Sequence, residues 1–362
     1  PEYPPKIGGV ADYTRQIAVG LAGRGHEVHV WTAAGGARPS DPGVTAHDVF
    51  GRFRVGDLWA VDRELDRFPR PRRIVVQYAP HGYRWQAMNL GFAAWVASRA
   101  ARGDRVDVMF HEAFQGFAGR PRHYLMAAAQ RVMAALLLRA ADRVWVSTPT
   151  WADALRPYAP RRKAIEWLPI PSNVPSRPPD PDAVPDFTVG HFGTYGPQTV
   201  PLLGPVLEGI LAALPDATVR LIGANGDRYL KAFSAAQPTL AGRVSATGAI
   251  PLDAVREELH RCAVMVQPVV NGVTVRHTTL LACLANGRPV VATAGRHTEP
   301  EWSPRNAAVL VPESEVGRMS VAVARMLTHS EERNRLSDAS RRWYADTFDI
   351  QHAVEMLARV AG

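Results

Sequence analysis

VMVQPVVNGVTVRHTTLLACLANGRPVVAT, residues 264–293, decides the fold of this chain. It reads as a buried apolar strand, a polar loop, a helix opening at Thr278-Thr279 and a second buried strand from Pro289 to Thr293. Leu280, Leu281 and Leu284 give the helix its apolar side, and Asn286-Gly287 with Pro289 stops it. A loop that brings a helix N-terminus to the carboxyl end of a parallel strand gathers unpaired N–H groups and the positive end of the helix dipole. That is where α/β proteins hold phosphate.

The same alternation extends in both directions. Upstream, strand-like runs at 27–32, 74–78, 106–111, 144–147 and 165–168 are separated by helical patterns near 10–24, 84–101, 121–140 and 150–157. A Pro-rich stretch at 171–185 reads as a stiff linker. Strand-like runs then resume at 187–192, 217–222, 244–246, 264–267, 289–293 and 307–311, with helical patterns between them. Such βαβ repetition implies two doubly wound parallel-sheet domains, 1–170 and 186–329, with a cleft between their strand ends. The tail, 330–362, is expected to form helices that pack back on the first domain.

Composition narrows the class. With 362 residues and 46% hydrophobic content, the chain is long enough for two ordinary cores. The net charge is +8, carried almost wholly by Arg, because Lys occurs only at Lys6, Lys163 and Lys231. This is read as a base-composition effect, so no nucleic-acid partner is expected. Cys262 and Cys283 lie in apolar surroundings, as reduced thiols in a cytoplasmic protein do. No apolar run reaches the roughly 18–20 residues that span a bilayer. HExxH, CxxC and GxSxG motifs are missing, so no metal or cofactor is expected.

Seven segments in series resemble the GT-B glycosyltransferases, most closely the retaining family 4 of bacterial and other carbohydrate biosynthesis. They are YPPKIGGVADYTRQIAVGLAGRGHEVHVWT at 3–32, VDVMFHE at 106–112, ADRVWVSTPTWADAL at 141–155, FGTYGP at 192–197, VRLIGANG at 219–226 with TGAIPLDAVREEL at 247–259, and ANGRPVVAT at 285–293. The resemblance implies two Rossmann-like domains facing a cleft, and transfer of a sugar from a nucleotide-diphosphate donor without metal or cofactor. It also implies a β-strand ahead of the Gly-Gly loop. Pro1 already lies inside that loop. In a doubly wound sheet that strand is central, its loss leaving two neighbours without a partner, so a truncated numbering or a misplaced start is expected rather than a fold lacking the strand.

By resemblance, Gly8 and Gly9 approach the donor diphosphate, and Gly193 and Thr194 of the FGTYGP loop join them there. His111 would touch the transferred sugar or position the acceptor. Gly248 and Ile250 would lie against the nucleotide base. Gln77, His81, Tyr83 and Glu112 end strands with polar groups and are candidate acceptor contacts. The family's two glutamates, eight positions apart, fall on Thr274 and Ala282, neither of them acidic. Thr274 retains a hydroxyl for the sugar. The family's Arg and Lys for the diphosphate are replaced by Gln198 and Thr199 in the loop after FGTYGP, and Arg276 and His277 are candidates for that missing positive charge, with Thr278 and Thr279 offering backbone amides.

The expected partners are a nucleotide sugar and a carbohydrate, lipid-linked or small-molecule acceptor. Two readings stand for Trp85, Phe92, Trp95, Arg99 and Arg102 of the 84–101 pattern, peripheral contact with the membrane and ordinary core packing, and the basic clusters 70–73 and 161–163 are candidates for contact with nucleic acid or anionic lipid. Two alternatives accompany the transferase reading: a binding or scaffold subunit with degraded donor chemistry, and a GT-B epimerase or phosphorylase.

Overall fold

A computed structural model describes residues 3–5, 8–33, 40–83, 85–178, 180 and 187–359. Most of the Pro-rich stretch after 178 and position 84 therefore lie outside the described residues. The chain divides into two compact units, 1–170 with 350–362, and 171–349.

In the first unit, α1 (Gly9–Ala22) buries Tyr13 and Ile17 one turn apart, with Ala11 and Ala18 beside them. It leads into β1 (Val28–Trp31), which pairs in parallel with β2 (Val44–His47). Next comes α2 (Val55–Leu65), whose entry is fixed by Asp57 accepting the backbone N–H groups of Arg52 and Arg54, both at 2.9 Å. A four-stranded parallel sheet follows in the order β3 (Arg73–Tyr78), β4 (Arg105–Phe110), β5 (Arg143–Val146), β6 (Glu166–Trp167). Helices α3 (Leu90–Ala101), α4 (Pro121–Ala140) and α5 (Pro149–Leu155) connect these strands.

Among the described residues β1 pairs only with β2, and β3 only with β4. A cavity of about 510 Å³ lies between them, lined by 26–31 of β1 and its lead-in, 71–77 of β3, Ile17 and Leu21 of α1, and Phe53, Phe92 and Trp95.

Of the two readings of the 84–101 pattern the structure takes core packing, and it also removes the basic cluster 70–73 as a free surface. Phe92, Trp95 and Arg99 are buried in the core, because α3 packs between the sheet and its neighbouring helices. Arg99 is fully enclosed and pairs with Asp104 at 2.6 Å and Asp66 at 3.0 Å. The basic cluster 70–73 is consumed in the same network. Arg72 bonds Asp104 at 2.6 Å and Asp66 at 2.7 Å, and Arg73 pairs with Asp107. Such enclosed charges must be partnered to be tolerated, which removes them as a polyanion surface.

The second unit is one six-stranded parallel sheet in the order β12-β11-β10-β7-β8-β9. Its strands are β7 (Phe187–Phe192), β8 (Val219–Ile222), β9 (Val244–Ala246), β10 (Cys262–Gln267), β11 (Val290–Ala294) and β12 (Val309–Pro312). Helices α6 (Val200–Ala213), α7 (Gly226–Ala236), α8 (Leu252–His260) and α9 (Thr278–Ala285) make crossovers, and α10 (Met319–Thr328) follows the last strand. The strand order reverses between β7 and β10, the switch point where open α/β sheets bind ligands. The tail splits. Helix α11 (Ser330–Thr347) stays with the second unit, where Ser337 bonds Gly287 and Ser340 bonds Ala307. Only α12 (Ile350–Ala358) returns to the first.

Candidate functional site

In the first unit the end of β4 carries the most organised polar group. The His111 backbone N–H donates to the Tyr78 carbonyl at 2.8 Å, and its carbonyl accepts from Ser147 Oγ at 2.9 Å. The buried ring places Nε2 2.7 Å from Gln77 Oε1, a bond that needs the proton on Nε2. Gln77 is thus the partner that orients His111. Tyr13 presents its ring edge-on to His111, with centroids 5.1 Å apart. The Tyr13 hydroxyl is buried with no hydrogen-bond partner, and burial raises its pKa, so it stays protonated. Tyr13 was passed over in the sequence because its helical spacing reads simply as core.

The other first-unit candidates separate. Glu112 is half-buried beside His111, and His81 is exposed in the short turn after β3. Tyr83 is corrected to core. Its ring stacks on Phe92 at 4.2 Å, and its hydroxyl is spent on the Gln77 carbonyl at 2.7 Å. Gly8 caps α1 in extended backbone, and a Cβ on Gly9 would meet nothing within 4 Å, so open space lies before this helix N-terminus.

In the second unit the two strands flanking the switch point are tied at their carboxyl ends. Gln267 Nε2 on β10 donates to the Phe192 carbonyl on β7 at 3.0 Å, and Val270 N–H donates to the Gln198 carbonyl at 2.8 Å. The loops bearing Gly193 and Thr194 and bearing Thr274–Thr279 therefore belong to one site. Gly223 has φ 107°, and a Cβ there would sit 2.5 Å from the Gly193 carbonyl oxygen, so these turns press together. Gly248, after β9, is held by Thr247, whose hydroxyl accepts from Gly223 N–H and donates to the Gly248 carbonyl. Ile250 is half-buried next to it.

The loop before α9 is built around a neutral histidine. Thr274 N–H donates to His277 Nδ1 at 2.8 Å, so that nitrogen is unprotonated and Nε2 carries the hydrogen. Burial, more than the nearby Arg276, lowers the His277 pKa. The expectation of positive charge at His277 is therefore corrected, and among the pair only the exposed Arg276 supplies it. Thr274 Oγ1 accepts from the Arg276 N–H at 3.3 Å. His277 caps α9, and the N–H groups of its first turn, beginning at Thr278 and Thr279, have no acceptor within the helix.

Glu299 underlies this loop and was missed in the sequence, where it looks like an ordinary loop acid. Its buried carboxylate accepts from Val275 N–H at 3.1 Å and from Trp302 Nε1 at 3.1 Å, and burial raises its pKa. Ala282 is enclosed in α9.

Comparison with known proteins places the fold. A family model described as a glycosyl transferase 4-like domain matches residues 8–171, and one described as glycosyl transferases group 1 matches 187–329. Among solved structures, sucrose-phosphate synthase from Thermosynechococcus elongatus is 17% identical over 97% of this chain and 92% of its own, with a TM-score of 0.70. WaaG, a glycosyltransferase involved in lipopolysaccharide biosynthesis, is 18% identical over 99% and 96%, with a TM-score of 0.60. Anabaena HepE, in complex with UDP and glucose, is 16% identical over 99% and 96%, with a TM-score of 0.67. No curated protein sequence matches. With the two domain models in series and a fold shared along its length with these proteins, the chain belongs to the GT-B glycosyltransferases.

Proposed function

We propose that this protein transfers a sugar from a nucleoside-diphosphate sugar to a hydroxyl of a carbohydrate, lipid-linked or small-molecule acceptor, with retention and without a metal. The observation that carries the reading is the α9 N-terminus at the switch point. A neutral His277, a buried Glu299 and an exposed Arg276 there frame a row of backbone N–H groups. The leaving diphosphate gains its stabilisation from these dipoles and from Arg276, and catalysis is mainly placement and electrostatics. That distribution of work tolerates Thr274 where the family has a glutamate. Thr274 serves the sugar hydroxyls, and Gly248 and Ile250 the base. His111, fixed by Gln77, orients the reacting groups, with Glu112 and His81 on the acceptor side. UDP in the HepE complex supports a uridine nucleotide as the first donor to try.

The test is thermal unfolding with UDP, GDP, ADP, CMP and dTDP and their common sugar conjugates. A ligand present at about 100 times its Kd adds roughly 2.7 kcal/mol of stability. A rise with one base names the donor, and the anomeric configuration of the product then decides retention. No rise with any nucleotide sinks the transferase. Ala282 in place of a carboxylate favours, in that event, a scaffold subunit.

A further inference from the structure

The turn that follows α9 gathers positive charge at the other end of the sheet from the α9 N-terminus. Arg288 stands just before β11, and its Nη1 donates to the carbonyls of His260 and Cys262 at 3.4 and 3.3 Å, where β10 begins. Its Nε is enclosed with no hydrogen-bond partner, and no carboxylate pairs with the guanidinium among the described residues. Burial lowers the Arg288 pKa, and the Arg333 charge lowers it further.

Helix α11 brings two more guanidinium groups to this turn from one face. Arg333, Ser337 and Arg341 recur at four-residue spacing and are half-buried, whereas Asn334, Asp338 and Arg342 beside them are exposed. The face is pinned to the turn, because Ser337 Oγ donates to the Gly287 carbonyl. Gly287 has φ 59°, and a Cβ there would stand 2.5 Å from Arg341 Cδ, so the Arg341 stem lies across it. Arg333 spends Nη1 on the Met326 and Leu327 carbonyls at the end of α10. Arg341 makes no hydrogen bond or ion pair among the described residues. Acids of the flanking helices are paired elsewhere, Glu257 with Arg177 at 2.9 Å, Glu258 with Arg220 at 2.6 Å and Glu332 with Arg325 at 2.8 Å. Guanidinium groups gathered on one turn, with unused N–H donors and no carboxylate, form an incomplete charge set. A phosphate group, which offers several oxygens to such forks, completes it.

We propose that Arg288, Arg333 and Arg341 form an anion site on the second unit that takes a phosphate group. It lies at the amino ends of β10 and β11, whereas the loop before α9 lies at their carboxyl ends. Helix α9, eight residues and about 12 Å long, runs between the two, so an anion held here steadies the turn on which that helix ends. Binding at this site does not depend on sugar transfer.

The experiment is calorimetric titration of inorganic phosphate, at ionic strength held constant with chloride, into wild type and variants. Arg276→Gln, which removes the charge before α9, is expected to keep the binding. Arg333→Gln and Arg341→Gln should each weaken it about tenfold or more, as the loss of a charge-assisted hydrogen bond does. Arg335→Gln, on the exposed side of α11, should leave it unchanged. Thermal midpoints in phosphate-free buffer show that the variants fold. Glycerol 3-phosphate distinguishes the source of the phosphate group: tighter binding than the free ion supports an organic monoester, and equal or weaker binding supports the free ion. Wild type that takes no phosphate overturns the proposal. So does binding that Arg276→Gln alone removes, which would place the anion before α9, or binding that both α11 variants retain in full.

Discussion

Glu299 and His191 show how single buried groups set the properties of the second unit. Replacing Glu299 by Ala leaves the Val275 and Trp302 N–H groups without their buried acceptor, and an unmet group of this kind costs about 1–3 kcal/mol. The loop that frames the α9 N-terminus loosens, and the nucleotide Kd measured by calorimetry should rise about tenfold. Glu299→Gln keeps an acceptor oxygen and should retain most of the affinity; equal affinity in the Ala variant would show the loop is held by other means. His191 is buried against Tyr195, with ring centroids 5.0 Å apart, and burial pushes its pKa down to about 3. His260 falls to about 4, first through burial and then through the Arg288 charge. A histidine depressed in the folded state binds its proton more readily when unfolded. Its stabilising share is full above its unfolded pKa, about 6.5, and is lost as pH falls toward the folded value. Urea midpoints should therefore drop between about pH 6.5 and pH 4, and His191→Phe should flatten that drop. Glu299, raised by burial, acts in the opposite sense, so the variant must be compared with wild type at each pH. An unchanged slope in His191→Phe would refute the assignment.

At the scale of elements, β4 is hydrogen-bonded to β3 on one side and to β5 on the other, so amide exchange should be slow across it. Fast exchange in β4 would refute that pairing. Parallel strands such as 264–267 and 289–293 were readable in the sequence, because burial on both faces makes them continuous apolar runs. β2 was not readable, since Val44–His47 is short and only half covered, and α2 was missed because charged residues dilute its apolar stripe of Leu58, Val61 and Leu65. Burial decided which site candidates survived. Tyr83 and Gln77 look alike as polar strand-end residues, but one fills the aromatic core and the other holds His111. Glu299 had no signal at all, because its two donors are a backbone N–H and an indole that only the folded chain brings to it.

At the scale of the whole molecule, the chain builds most of the first unit, leaves it at residue 170, completes the second, and returns with α12. That return is structural. Ala353, Val354 and Leu357 are buried with Tyr13, Ile17, Met109, Trp145 and Leu168, and Arg73 and Arg143 donate to the carbonyls of Leu357 and Met356. Gly20 of α1 makes the close approach possible, because a Cβ there would stand 2.4 Å from Val354 Cγ2. Ending the chain after Asp349 would re-expose this cluster, and Val354 and Leu357 alone account for roughly 1.5–3 kcal/mol each. Because Tyr13 packs on His111, the loss reaches that histidine as well. With two units, unfolding is not expected to be two-state, so the effect should be read by unit. Peptides from 9–170 should lose exchange protection while those from 187–347 keep it, and nucleotide affinity should hold even as transfer falls. Gly20→Leu should reproduce the pattern by pushing α12 away without shortening the chain. If both changes leave the first unit protected, α12 is an accessory helix, and the cluster around Trp145 closes without it.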